Sequence, residues 1–179
     1  MADSDFAIYN RSDAQLGTPP TDSVDWLLLN AVAAQLDATT FFRAIHPVSI
    51  PENQLLINLP AAIVAPLPES AQRNWDTNVE VGVSHDFRCV LISAMSMGGI
   101  NASKALQPFY GIRETAKEKL RLLLPSKQAA LAAAVPSWCD TDILYGEVST
   151  RSPVKGSDTI LLVSGIIDVR FVVMEEFTT

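Results

Sequence analysis

Two long stretches of alternating apolar and polar residues predict the main strands of the chain. From Leu161 to Val173 every second residue is apolar or glycine, whereas the residues between them are mixed. Because successive side chains on a strand point to opposite faces, this pattern predicts one continuous apolar face. A straight strand over Thr159–Met174 would span roughly 50 Å at about 3.3 Å per residue. We therefore expect a bend or bulge at Gly165.

The second long strand is predicted over Glu80–Met97, where most odd-numbered residues are again apolar. Its polar face gives way to Val90 and Ile92, so we expect one solvated face at its start and two buried faces later. A third strand is predicted over residues 138–150. The loop 151–158 returns the chain into the final strand, which predicts a long antiparallel hairpin.

Helical spacing of apolar residues predicts a first helix after Pro20, with Thr21 or Asp22 as its cap. A second helix is predicted from about Pro108 to Leu124, followed by a short alanine-rich helix over residues 127–134.

The region between the first helix and the first long strand is divided by prolines. It leaves two short extended pieces, 54–58 and 61–65, at an edge of the sheet or in a connection. Residues 67–78 are predicted to be an exposed loop that holds Trp75.

The order of elements predicts an α+β fold: an antiparallel or mixed sheet with a long C-terminal hairpin and helices packed on one face, as a two-layer sandwich. Residues 1–20 are predicted to be an N-terminal arm, and residues 21–179 a single domain. The arm is either a disordered tail or a segment that docks on a neighbour through Phe6, Ile8 and Tyr9.

Composition narrows the functional classes. The chain of 179 residues is 48% hydrophobic, which fits one domain with a sizeable core. Its net charge of −7 disfavours general binding to nucleic acid phosphates.

Two cysteines, Cys89 and Cys139, are too few for a disulfide framework and indicate a reducing compartment. The N-terminus has no signal-peptide pattern, and Asp168 and Arg170 interrupt the one apolar stretch long enough for a membrane span.

The sequence contains no strong catalytic or binding motif. Ser96–Gly99 lacks the lysine and the spacing of a phosphate-binding loop, and there is no nucleophile elbow. His85 and Cys89 share a strand face but lie roughly 13 Å apart along an extended chain, too far for one zinc ion. We therefore predict no catalytic, cofactor-binding or metal-binding residue, and a protein that is not an enzyme.

The order of elements resembles the tail terminator and tail-completion proteins of tailed bacteriophages. The resemblance covers roughly residues 22–175: a leading helix, the proline-flanked Leu59–Pro66, a long strand, a charged helix, and a closing hairpin whose last strand reads Ile-Ile-Asp-Val-Arg-Phe. It departs from the family in the long arm, the alanine-rich helix and the length of the final strand. It implies a virion protein of the tail or neck, assembled in the host cytoplasm.

The resemblance also implies partners. These are copies of the chain in a ring, usually sixfold, with the tail tube and the head connector on its two sides. DNA would pass through an acidic lumen without specific binding, and no membrane is involved. Candidate interface residues follow from arms, loops and the basic tip of the hairpin: Phe6, Tyr9, Trp75, Arg151 and Lys155. Trp75 has a second interpretation, as a plug over a small core.

Two alternatives stay open. One is a small cytoplasmic enzyme or ligand-binding domain that uses Cys139 and His85, with Asp86 nearby. The other is a related head-tail connector or the cap of a contractile injection system, which uses the same architecture.

Overall fold

The computed structural model describes residues 23–47, 59–67, 72–76, 80–96, 102–151 and 160–176. These residues form three helices and six strands. Their order along the chain is α1 (Val24–Asp37), β1 (Ala44–Pro47), β2 (Ala61–Pro66), β3 (Gln72–Asp76), β4 (Glu80–Ser96), α2 (Ala102–Leu120), α3 (Ala129–Ala134), β5 (Trp138–Arg151) and β6 (Ile160–Glu176). The predicted α+β class is confirmed.

The strands form one mixed sheet in the order β1-β2-β4-β6-β5, with β3 also paired to β4. The pairing of β1 with β2 is parallel and the other pairings are antiparallel. The two longest strands pair without interruption, from Glu80 opposite Glu176 to Ser96 opposite Ile160. Because β6 occupies one edge of β4 over this length, β2 and β3 must lie end to end along the other edge.

The pairing of β6 with β4 has no bulge at Gly165, because the register does not shift there. The irregularities lie instead in the neighbouring β5, between Trp138 and Asp140 and between Tyr145 and Val148. Gly165 has a different role. A Cβ atom at this position would lie 3.0 Å from the ring of Phe109, so the missing side chain lets α2 approach the sheet.

The main core lies between one face of the sheet and the helices, as predicted. Apolar side chains of α1 and α2 meet those of β2, β4, β5 and β6 in one cluster. At its centre, the rings of Phe87 and Trp138 both contact Phe171 edge-to-face, with centroid distances of 5.8 and 5.7 Å. Such contacts between perpendicular rings add to the stabilisation from burial.

The helix ends differ from the predictions. Ser23, not Thr21 or Asp22, caps α1, since its hydroxyl accepts a hydrogen bond from the backbone N–H of Trp26 at 3.3 Å. The second helix begins at Ala102 and ends at Leu120, with Pro108 inside it. Proline removes one helical hydrogen bond, but Leu106 and Phe109 on either side of it pack on the core and outweigh that loss.

Two predictions about the start of β4 are also wrong. Residues 72–76 of the predicted loop form β3, which pairs with residues 81–84 of β4 beyond the end of β2. An exposed backbone edge favours such pairing. The burial of β4 runs in the opposite direction to the expectation. Residues 82–87 are all buried, whereas Arg88, Val90 and Ile92 are partly exposed.

We predict that Gly146→Ala destabilises the protein by about 1–3 kcal/mol, because a Cβ atom there would lie 2.6 Å from Cβ of Ile166. Gly111→Ala is the matched control. This exposed glycine lies inside α2 with no atom within 4 Å of the new Cβ. It should stabilise the helix by about 0.5–1 kcal/mol. Urea unfolding of both variants measures the difference, and equal effects of the same sign would contradict the prediction.

Candidate interaction surface

Two ion pairs lie side by side on the face of the sheet opposite the helices, which we call the open face. Asp86 is directly opposite Arg170, and Arg88 is directly opposite Asp168. Each arginine binds its aspartate through Nε and Nη2, at 2.9 and 2.8 Å for Arg170 and at 2.9 Å twice for Arg88. Both pairs therefore have the bidentate geometry that makes arginine–carboxylate contacts strong.

The arrangement follows from a short sequence that occurs twice. Asp86-Phe87-Arg88 in β4 and Asp168-Val169-Arg170 in β6 have the same order of charges. In antiparallel strands this order is reversed, so each aspartate meets the other strand's arginine. A shift of the register by one residue would break both pairs and turn the apolar residues between them to the wrong face.

The pairs are neutral but differ in burial. The side chains of Asp86 and Arg170 are 12% and 36% exposed, and those of Asp168 and Arg88 are 21% and 42% exposed. The hydrogen bonds that Arg88 donates to Asp168 are the main cause that raises the pKa of Arg88. Those that Arg170 donates to Asp86 raise the pKa of Arg170 in the same way. Each charge already has its partner, so covering this region with protein requires less desolvation than covering free charges would.

Apolar side chains surround the charged centre. Ile63, Val90, Ile166 and Val172 lie on the open face and are partly exposed. Leu144 of β5 lies opposite Asp168, and half of its surface is exposed. A largely apolar patch with neutralised charges is typical of a surface that contacts another protein.

The second helix holds β5 at its second bulge. Nη2 of Arg113 donates a hydrogen bond to the Gly146 carbonyl oxygen at 2.7 Å. The ring of Tyr145 lies beneath two cations, with Cζ of Arg113 at 4.6 Å and Nζ of Lys117 at 4.1 Å from its centroid. Tyr145 is still 42% exposed. These contacts fix the outer strand of the sheet in place without covering it.

A separate polar contact joins α1 to β4. Nδ1 of His85 lies 2.7 Å from Oδ1 of Asp25, and the histidine is buried. Asp25 also lines an apolar cavity of about 190 Å³, together with Ser23, Trp26, Leu29, Pro66 and Phe87. This contact beside an apolar cavity is a candidate small-molecule site among the described residues.

The two cysteines are not activated. Cys139 is exposed and its Sγ donates to the carbonyl oxygen of Val172 at 3.2 Å, while Cys89 is buried. Partial burial is the main cause that raises the pKa of the Cys139 thiol, and the Asp140 carboxylate raises it further. Complete burial raises the pKa of the Cys89 thiol. A raised pKa keeps the thiol protonated, whereas a cysteine nucleophile needs a lowered one. Cys139 and His85 have different partners, on strands that β6 separates.

The structure places two of the five predicted interface residues. Trp75 lies in β3 and Arg151 is the last residue of β5. Phe6, Tyr9 and Lys155 lie outside the described residues, as does the whole predicted arm. Their part in an interface stays a prediction. Among the residues that the structure describes, no group of three or more His, Cys, Asp or Glu could hold a metal ion.

The pattern along each single strand does not indicate the residues that characterise the open face. The doubled Asp-x-Arg sequence was a usable signal, since two such sequences in neighbouring antiparallel strands can pair. Leu144 and Tyr145 gave no such signal, because their exposure depends on β5 lying at the edge of the described sheet.

Comparison with known proteins does not assign the chain to a family. No protein-family model matches the chain, and no curated protein matches it. None of the helices within the described ranges has the apolar length that a bilayer crossing demands.

We predict that Asp86→Asn destabilises the protein by about 1–3 kcal/mol, because it removes the carboxylate that binds Arg170 at two points from a largely buried side-chain position. Asp168→Asn should lower the free energy of unfolding by less, since the Asp168–Arg88 pair is more exposed than the Asp86–Arg170 pair. The double variant Asp86→Asn with Arg170→Gln should be less destabilised than the sum of the two single variants, because the two side chains bind each other. A double-mutant cycle of unfolding free energies measures this, and additive effects would contradict the pairing.

We predict that a thiol reagent modifies Cys139 in the folded protein and modifies Cys89 only after unfolding. Because its pKa is raised, Cys139 should react more slowly than a free thiol at neutral pH, and its rate should keep rising above the usual thiol pKa. Mass spectrometry of labelled peptides over a pH series measures both. Equal labelling of the two cysteines in the folded state would contradict the prediction.

Proposed function

We propose that this chain is a structural subunit that assembles with copies of itself into a ring, at the neck or tail of a tailed bacteriophage. The ring would end the tail tube and join it to the head connector. A sixfold ring is the expectation from the family that the sequence resembles. DNA would pass through it without specific binding.

The open face of the long β4–β6 ladder carries the proposal. β4 and β6 are 17 residues each and pair throughout, so the ladder is about 55 Å long at roughly 3.3 Å per residue. The face of this ladder beneath the helices is buried within the single chain, whereas its open face holds partly exposed apolar side chains around paired charges. Copies of the chain could cover that surface for each other.

The order of elements supports the viral setting. The described residues keep the leading helix, the strand that follows Pro60, the long strand, the charged helix and the closing hairpin on which the resemblance rests. A net charge of −7 suits a lumen that repels DNA.

An enzyme or ligand-binding domain is the second candidate, and one observation favours it: the His85–Asp25 contact beside an apolar cavity. In this view His85 acts with Cys139. The raised pKa of Cys139 gives that pair little nucleophilic character. If this candidate holds, Cys139→Ala abolishes an activity without loss of folding.

We predict that the purified protein forms a discrete oligomer in sedimentation velocity and ring-shaped particles in negative-stain electron microscopy. The Gly111→Ala variant, which leaves the sheet untouched, serves as the control and should assemble like the wild type. A monomer at high concentration, both alone and with tail-tube and connector proteins, would contradict the proposal.

A further inference from the structure

The accessible part of the open face lies in the middle of the β4–β6 ladder. On this face Ser84 is fully buried toward one end of the ladder, and Leu162 is only 5% exposed toward the other. Between them lie three partly exposed cross-strand pairs: Arg88 with Asp168, Val90 with Ile166, and Ile92 with Ser164. We call these six residues the central patch. Ile63 of β2 and Leu144 of β5 flank it.

The charges at one end of the patch form a square of alternating sign. Asp86 and Arg88 follow each other along the open face of β4, and Arg170 and Asp168 lie opposite them on β6. Each side of the square therefore joins opposite charges, and like charges lie on its diagonals. The square has no net charge, but a facing surface matches it only if that surface reverses the sign at every corner.

A second copy of the same face provides the reversed signs. Rotation of a copy by 180° about an axis that runs along the strands, midway between β4 and β6, lays its open face on that of the first copy and exchanges β4 with β6. The rotation keeps each residue at its level along the axis. Each residue of β4 therefore lies over the residue that it pairs with in β6. Arg88 lies over Asp168 of the second copy, and Val90 lies over its Ile166.

The charges and the burial select this placement over its neighbours. An axis along β6 itself would lay Asp168 and Arg170 over the same residues of the second copy, and an axis along β4 would do so for Arg88. Like charges brought together in this way oppose association. An axis across the strands also matches the signs, but it lays Val90 over Ser84, which its own chain already buries.

We infer that the central patch binds the same patch of a second copy across a two-fold axis along the ladder, with β4 over β6 and β6 over β4. The two faces then pack as the layers of a β-sandwich, whose strands are nearly aligned and whose sheets lie about 10 Å apart. Such a contact closes on itself and gives a dimer. It does not rest on the proposed ring, which would need further contacts between dimers.

The side chains of the patch suit this contact. Nε and Nη2 of Arg88 bind Asp168 of the same chain, and Nη1 takes no part in that pair. A guanidinium has five N–H donors, so Nη1 can donate to the second copy's Asp168 while the first pair stays intact. The stacking of Val90 on Ile166 removes partly exposed apolar surface from water twice, once on each side of the axis.

Two charged substitutions test the contact. Val90→Lys and Ile166→Glu each lay a charge over an apolar residue of the second copy, so each should weaken dimerisation at least about tenfold in sedimentation velocity. In an equimolar mixture of the two variants, the new ammonium group lies over the new carboxylate. The mixture should therefore form a heterodimer more tightly than either variant forms a homodimer.

A second mixture is the matched control for this geometry. Val90→Lys and Val90→Glu place their opposite charges on β4 of both copies, where each faces Ile166 instead of the other charge. This mixture should not recover dimerisation, and recovery equal to that of the first mixture would overturn the stacking of β4 on β6.

The controls for folding use exposed positions. Tyr110→Lys changes a side chain that is 47% exposed on α2, on the other side of the sheet, and should dimerise like the wild type. If Val90→Lys lowers Tm strongly, Leu144→Lys places a charge at the flank of the patch. Half of Leu144 is exposed, so this variant should fold and still weaken dimerisation.

The outcomes separate this dimer from the proposed function. A wild-type protein that stays monomeric at high concentration overturns the dimer, and it contradicts the ring only if it also stays monomeric with its partners. Rings that form equally well from Val90→Lys and Ile166→Glu support the ring and overturn the dimer. A dimer that both variants dissociate and that the mixture restores, with no larger assembly in the presence of partners, supports the dimer and contradicts the proposed function.

Discussion

The unbroken pairing of β4 with β6 is the constraint on which the rest of the structure depends. It joins residues 96 positions apart in the chain at Glu80 and Glu176 and 64 positions apart at Ser96 and Ile160, without a single shift. Register decides which face each side chain occupies, so this ladder places Phe87 and Phe171 together in the core. It also places both Asp-x-Arg sequences on the open face, where only this register satisfies all four charges.

The irregularities lie instead in β5 and, between Arg73 and Trp75, in the short β3. β5 carries two bulges, and α2 stabilises the second through the bond from Arg113 to the Gly146 carbonyl. Two glycines allow this close packing: Gly146 against Ile166, and Gly165 against Phe109. The result is a regular central ladder beside an irregular outer strand that α2 holds in place.

The sequence predicted the strands well and their surroundings less well. The alternation in residues 80–97 and 159–174 is long enough to exclude a helix, and the structure confirms both strands. The start of α2 was misplaced because proline usually marks a helix boundary, whereas here Leu106 and Phe109 pack well enough to continue the helix past it. β3 was missed because its few residues have no alternating pattern, and it forms where β4 leaves an edge free. Of the predicted interface residues, Phe6, Tyr9 and Lys155 lie outside the described residues, and the bacteriophage resemblance stays a prediction.

By itself, the amino-acid sequence determined which segments are strands or helices and which face of each is apolar, because that periodicity is local and follows from backbone geometry. Tertiary structure alone decided which strands are neighbours, and hence that Asp86 meets Arg170 and that β5 carries two bulges. Those properties arise from pairing between distant segments. No local pattern records its partner, since the same alternation would fit several registers until packing against the helices selects one.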